Sequence, residues 1–347
     1  MSIEAYLRAM PKVELHVHME GSIRPETLLK LAERHKVLLP AHDLDELQNW
    51  YTFTDFGHFL QIYKTIGTCL RTQEDIELIT REFLVGQAEQ NIIHSEVTYT
   101  PYHQYKENKI TFEDQLSAIN RGRTWAEENL GVSMTLTVDI SREIAAEEGL
   151  ITAEWAVSGM DNGVTALGLG GPEIDNPPEK FVTSFEKALA AGLHSLPHAG
   201  ETEGPASIWG ALNSLKAERI GHGIRCLEDP ALVEFLVEKQ IPLEVCPTSN
   251  LCLKVAPSIE KHPLPRLLEA GLYITINSDD PPMFNTTLND EYVKVAKAFN
   301  YEVPQMEKFS LNALRASLLP QDRKNNLLAE FTTQFAHLRQ EHGIQPV

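Results

Sequence analysis

Short apolar runs closed by turn residues recur along this chain, and stretches with helical spacing of apolar positions lie between them. Eight of the runs read as strands: Val13–His18, Ile92–Thr98, Met134–Asp139, Val164–Leu169, Ser195–Ala199, Arg219–His222, Pro242–Val245 and Tyr273–Asn277. Amphipathic helical stretches separate most of them, among them Pro25–His35, Glu74–Gln90, Phe112–Asn129, Lys180–Ala191 and Asp229–Lys239. Strands alternating with helices imply parallel strands joined by helical crossovers. Eight such units predict the α/β class, as a closed (β/α)8 TIM barrel in one domain over residues 1–347. An open doubly wound sheet would ordinarily carry a glycine-rich phosphate turn after its first strand, and no G-x-G-x-x-G stands there. Between the first two strands, residues 34–74 hold several helical pieces, so inserted helices are expected to cover the C-terminal face. The segment 172–180 reads as a loop after the fourth strand.

Composition narrows the partners. The net charge is −19, whereas a nucleic-acid surface needs a basic footprint; anionic membrane surfaces are disfavoured for the same reason. No apolar run approaches the ~20 residues of a membrane span. The start, MSIEAYLRAM, has no basic segment leading into an apolar one and does not read as a signal peptide. Four cysteines (Cys69, Cys226, Cys246 and Cys252) make no disulfide framework in a chain of this length. The expected setting is a reducing cytoplasm, and the expected partner is a small molecule. The sequence fixes no oligomeric state.

In a barrel of this kind the chemistry sits at the C-terminal ends of strands. The first strand ends in His16-Val17-His18, two imidazoles on one face. The fifth ends in His198, with Glu201 three residues on. The sixth ends in His222 between Gly221 and Gly223, where the backbone can approach a neighbour closely. The eighth ends in Asp279-Asp280, suited to one metal ligand and one hydrogen-bonding carboxylate. Each of these alone is ordinarily structural; together, four strand ends bearing His or Asp converge on one point. Three histidines and an aspartate with a position left open are the pattern of a catalytic zinc rather than a structural one. Such a zinc lowers the pKa of a water to about 7. His222 is placed to take or orient the water's proton and Glu201 to protonate a substrate ring nitrogen, the logic also used by zinc deaminases of another fold.

The set KVELHVHMEGS (12–22), PHAGE (197–201), RIGHG (219–223), EVCPTSN (244–250) and NSDDP (277–281) resembles the adenosine deaminase family, in family order and across most of the chain. The resemblance implies a barrel enzyme of the amidohydrolase superfamily with one zinc per chain, held by His16, His18, His198 and Asp279. It implies Glu201 as the residue that protonates purine N1 and His222 as the water-activating histidine. It implies Asp280 as the partner of N7, the backbone of Gly171 as the contact to N3, and Ser249 as a neighbour of the metal aspartate. Related amidohydrolases bridge two metals with a modified lysine at the end of strand four; here that strand ends in GLGGPE (168–173), which supports one metal.

The resemblance also marks a departure. Glu20 stands where adenosine deaminases carry the aspartate that contacts ribose, and glutamate there is familiar from adenine deaminases. The stretch Asp55–Tyr63 resembles the family's gate helix, with Phe59 and Tyr63 on one face able to cover bound substrate; Met19, Ile23 and Met283 are further candidate pocket residues. The expected reaction is hydrolytic deamination of adenosine or deoxyadenosine-type nucleosides to inosine-type products and ammonia. The alternative substrates are aminodeoxyfutalosine, a nucleoside with an elaborated 5′ end, and free adenine. A cyclic-amide or ester hydrolase lacks support without the bridging lysine, and a non-catalytic binding protein is disfavoured because no ligand or proton shuttle is missing.

Overall fold

The computed structural model describes residues 3–344. Eight strands follow one another around a ring: β1 Lys12–His18, β2 Ile92–Tyr99, β3 Ser133–Ser141, β4 Val164–Gly170, β5 His194–Ala199, β6 Ile220–His222, β7 Pro242–Val245 and β8 Tyr273–Ile276. All seven successive pairings are parallel. The ring is completed by a parallel bridge between Val17 and Asp279, where His18 N–H donates to Asp279 O at 2.9 Å and Asp279 N–H to His16 O at 3.2 Å. This is the expected (β/α)8 barrel, and its closure joins the H-x-H of β1 directly to the aspartate after β8.

The strands hold because they are buried on both faces, the condition under which parallel strands read as near-continuous apolar runs. Val13, Leu15 and Val17 of β1, and Ile274 and Ile276 of β8, are almost fully buried. The helix Val303–Ala316 packs across β1 and β8 and covers the seam. The four cysteines are free, and among the described residues no helix is long and apolar enough to cross a membrane.

The insertion after β1 carries the helices Leu44–Trp50 and Phe56–Gly67. Asp55 starts the second of these, its Oδ1 accepting from His58 N–H at 2.9 Å; this is an N-cap that satisfies an otherwise orphaned donor. The apolar face of that helix turns toward the barrel mouth: Phe59, Ile62 and Ile66 are buried, and Phe59 packs edge-on against Phe53, with centroids 5.4 Å apart, and tilted against Phe284 at 5.5 Å. The segment expected to cover the top of the barrel does so.

Candidate active site

The strand ends bring His16, His18, His198 and Asp279 together, with their ligand atoms within 4.8 Å of one another and all four side chains buried. His18 Nε2 lies 3.1 Å from His198 Nε2 and 3.2 Å from Asp279 Oδ1, and His16 Nε2 lies 3.5 Å from Asp279 Oδ1. These are the separations of atoms that surround one ion tetrahedrally at ~2.0–2.2 Å. Two of the rings are oriented from behind. His16 Nδ1 donates to Glu244 Oε2 at 2.8 Å and His198 Nδ1 to Leu169 O at 3.1 Å. Both partners only accept, so both Nε2 atoms are left to face inward. His16 Nε2 has no hydrogen-bond partner there.

The electrostatics ask for a cation at the same point. Burial works against charge on His16 and His18. Even so, hydrogen bonds to Asp279 and Glu244 hold His16 up at about 9, and the charges of Asp280 and Asp279 hold His18 up at about 10. Burial, reinforced by those neighbouring histidines, pushes His198 well below its ordinary value. Asp279 stays well below the carboxylate range: burial opposes this, and the hydrogen bonds from His16 and His18 outweigh it. A buried, negatively polarised centre of nitrogen and carboxylate donors suits a divalent transition metal.

Around this centre lies a cavity of about 390 Å³. Glu201 and His222 line it, with His222 Nε2 3.7 Å from Glu201 Oε1 and 3.9 Å from Asp279 Oδ2. Burial, with the Asp279 and Glu173 charges adding to it, lifts Glu201 well above the ordinary value of a carboxyl and so favours its protonated form. Burial lowers His222 to about 4, so its ring is uncharged at neutral pH. A carboxyl pushed up and an imidazole pushed down in one cavity are a pair whose surroundings drive their pKa values apart. Asp280, raised by burial and by the Asp279 charge, lines the same cavity and has an Oδ1 without a hydrogen-bond partner. Its carboxylate lies over Gly21, where an added Cβ would sit 1.6 Å from that oxygen. Gly221 meets the same constraint: a Cβ there would come 2.8 Å from His16 Cε1. The glycine beside His222 is thus a close approach, as its position suggested.

Gly171, at φ +94°, lines the cavity. So do Phe59 and Tyr63, and Tyr63 Oη donates to Glu20 Oε2 at 3.1 Å while Thr100 N–H donates to Glu20 Oε1 at 3.0 Å. Glu20 is therefore clamped at the cavity wall. Ser249 is buried on the short helix Pro247–Cys252, with no hydrogen-bond partner for its hydroxyl and no hydrogen bond to Asp279. Met19, Ile23 and Met283 do not reach the cavity; they are packed into the core around it.

Two residues in or behind the site were not singled out in the sequence. Asp139, at the cavity wall on β3, is buried and has an unpartnered Oδ1. Burial raises it to about 7 against the opposing charge of His18. The signal was present, because the third predicted strand ends at Asp139. Glu244, the partner of His16, lies inside the predicted seventh strand, one residue short of the position a strand-end reading inspects.

A parallel barrel with a His/Asp cluster able to hold a metal, and a Glu/His pair beside it at the mouth, is the arrangement of a metal-dependent hydrolase. Comparison with known proteins makes this particular: over residues 11–334 the chain matches adenosine deaminase, and it belongs to that family. It is 39% identical over 336 residues to the aminodeoxyfutalosine deaminase of Streptomyces avermitilis, covering 96% of this chain and 94% of that protein. The adenine deaminase structure from Arthrobacter aurescens superposes with a TM-score of 0.90 at 35% identity, covering 94% of this chain and 99% of that one. An amidohydrolase from Burkholderia ambifaria with bound Zn superposes with a TM-score of 0.92 at 25% identity, covering 99% and 95%. The chain is a hydrolase of C–N bonds in cyclic amidines and deaminates adenine-type substrates. Of the expected substrates, the relatives back the alternatives, aminodeoxyfutalosine and adenine, better than adenosine or deoxyadenosine, since they are named for the former two.

Proposed function

We propose that this protein is a zinc enzyme that hydrolyses the 6-amino group of an adenine carrying a long N9 substituent, of the aminodeoxyfutalosine kind. His16, His18, His198 and Asp279 would hold one zinc, whose Lewis acidity lowers the pKa of a water to about 7. Asp280 orients the purine through N7, and the Gly171 N–H donates to N3. Water adds across the C6–N1 bond; Glu201 delivers its proton to N1 while His222 takes a proton from the water. His222 then gives that proton to the departing amine. The C6–N bond breaks, ammonia leaves, the remaining hydroxyl proton returns to Glu201, and the 6-oxo product keeps the proton on N1. Asp139 offers an unpartnered carboxylate oxygen to polar atoms on the sugar side.

The observation that carries the substrate reading is the extent of the cavity. Besides the metal cluster it is lined by Tyr63, Ile144 and, on the helix Pro101–Asn108, Tyr102, His103 and Lys106. A bare base would fill only its inner part, whereas the whole falls in the ~300–1,000 Å³ range of sites that enclose larger ligands. The second reading is free adenine, supported by Glu20 and the Arthrobacter likeness. Metal-replete enzyme given adenine, adenosine, deoxyadenosine and aminodeoxyfutalosine in turn, with ammonia release followed, is expected to show the highest kcat/KM for aminodeoxyfutalosine. A preference for adenine would move the assignment to the second reading, and no turnover of any of the four would overturn it.

A further inference from the structure

The Glu201 carboxyl makes no hydrogen bond among the described residues, and its Oε1 has no partner. A buried side chain without anchors of its own takes its place from its backbone. That backbone is gathered by one carboxylate. Glu173, in the loop after β4, accepts from Gly200 N–H at 2.8 Å, Glu201 N–H at 2.9 Å, Thr202 N–H at 2.8 Å and Glu203 N–H at 3.3 Å, with the Ser207 hydroxyl as a further donor. On the other side the same loop is pinned by Gly223 N–H to Ala199 O and Arg225 N–H to Gly200 O, both at 3.1 Å. Buried Arg142 ties the base of the arrangement together, donating to His198 O and to Asn176 O, each at 2.6 Å.

We propose that Glu173 is a positioning residue for the deamination: by collecting the N–H groups of residues 200–203 it fixes where the Glu201 carboxyl meets the substrate ring. This rests on the role given to Glu201 above. Four adjacent donors, those of Gly200 and Glu201 buried and those of Thr202 and Glu203 part-buried, converge on one carboxylate, and an unmade hydrogen bond at a buried donor is costly. Removing the carboxylate would let the loop relax outward. A proton donor displaced by about 1 Å loses on the order of 10²-fold in rate. Glu173 lies outside the cavity lining, so its loss should leave substrate affinity and metal binding in place.

The test is a double-mutant cycle on zinc-loaded full-length enzyme. Glu173→Gln is expected to lower kcat by about 10–10²-fold, with KM within a few-fold of the parent and one zinc per chain retained. In a Glu201→Gln background, Glu173→Gln is expected to cost nothing further, since groups acting as a unit are not additive. Parental kcat for Glu173→Gln, or losses that multiply in the double variant, would overturn the proposal. Ser207→Ala removes one donor and keeps the carboxylate, so it serves as the milder form if Glu173→Gln does not fold. A few-fold drop in kcat that vanishes in the Glu201→Gln background supports the proposal, and an unchanged kcat refutes it. Full turnover by Glu201→Gln alone would instead remove the acid assignment beneath it, which separates the two failures.

Discussion

At the scale of single residues, the centre is held as much from behind as from within. Glu244 fixes the tautomer and tilt of His16 by the 2.8 Å bond to Nδ1. Glu244→Gln would keep the volume and lose the charge, and such partners are typically worth 10–100-fold in metal affinity. Competition of the variant against a chelator of known strength is expected to show a loss of that size, and parental affinity would contradict the role. The two histidines raised to about 9 and about 10 add a second expectation. Both carry protons at pH 7 before metal enters, and a ligand must be deprotonated. Zinc uptake near neutral pH should therefore release about two protons, and the release should fade as pH rises through 9 to 10. Calorimetric titration in buffers of differing ionisation enthalpy measures it directly. This residue layer was partly legible in the sequence. His16, His18, His198, His222 and Asp279 showed themselves because strand ends of a barrel converge. Glu244 and Glu173 did not, because a carboxylate that serves another residue has no spacing rule of its own; its partner is set by the closing of the ring.

At the scale of elements, the sequence placed all eight strands to within a few residues, and their ends differ only slightly: β3 runs on to Ser141, β6 begins at Ile220 rather than Arg219, and β8 stops at Ile276. Apolar runs survive in one dimension because a barrel strand is buried on both faces. The polar layer inside the barrel does not survive in that way. Glu96 on β2, Arg219 just before β6 and Glu244 on β7 interrupt apolar strands and are individually unfavourable to bury. In the ring Arg219 donates to Glu96 Oε2 and to Glu244 Oε1, each at 2.6 Å, so each charge is compensated only through its neighbours. The pairing is written across three strands and is invisible in any one of them. It also makes a pH prediction. Burial alone would raise Glu96, but the Arg219 charge outweighs it and holds Glu96 down at about 2, below the ordinary 4.5. A depressed folded-state pKa means stability that is present above about 4.5 and lost as pH falls toward 2. Thermal unfolding followed across that window should show the midpoint falling, and Arg219→Met, which strands two buried carboxylates, should destabilise by about 3–5 kcal/mol. A flat midpoint between pH 5 and 3 would contradict this account.

At the scale of the whole molecule, the inner end of the cavity is built by the barrel and its outer wall by the inserted segments. His16, His18, His198, Glu201, His222 and Asp279 all stand on strand ends or the turns just after them, whereas Phe59, Tyr63, Tyr102, His103 and Ile144 come from helices and loops laid over the mouth. The sequence therefore spoke clearly about reaction type and weakly about substrate, because the outer wall of the cavity forms only where separate insertions meet in space. The division can be tested by filling the outer cavity without touching the inner one. Ile144 is half-buried and lines the same cavity as Tyr63 and Tyr102. Ile144→Trp adds bulk where the N9 substituent would pass and leaves His222, Glu201 and the metal ligands alone. If the long substrate occupies that channel, its kcat/KM should fall by about 10²-fold, the loss that a misplacement of about 1 Å produces. Adenine, which needs only the inner part, should be turned over as by the parent. The ratio of the two values is the measurement, since damage to the fold would lower both. Equal losses, or none for the long substrate, would mean that the channel is not its path, and Glu20 with its clamp on Tyr63 and Thr100 would then be the place to look for what this enzyme selects.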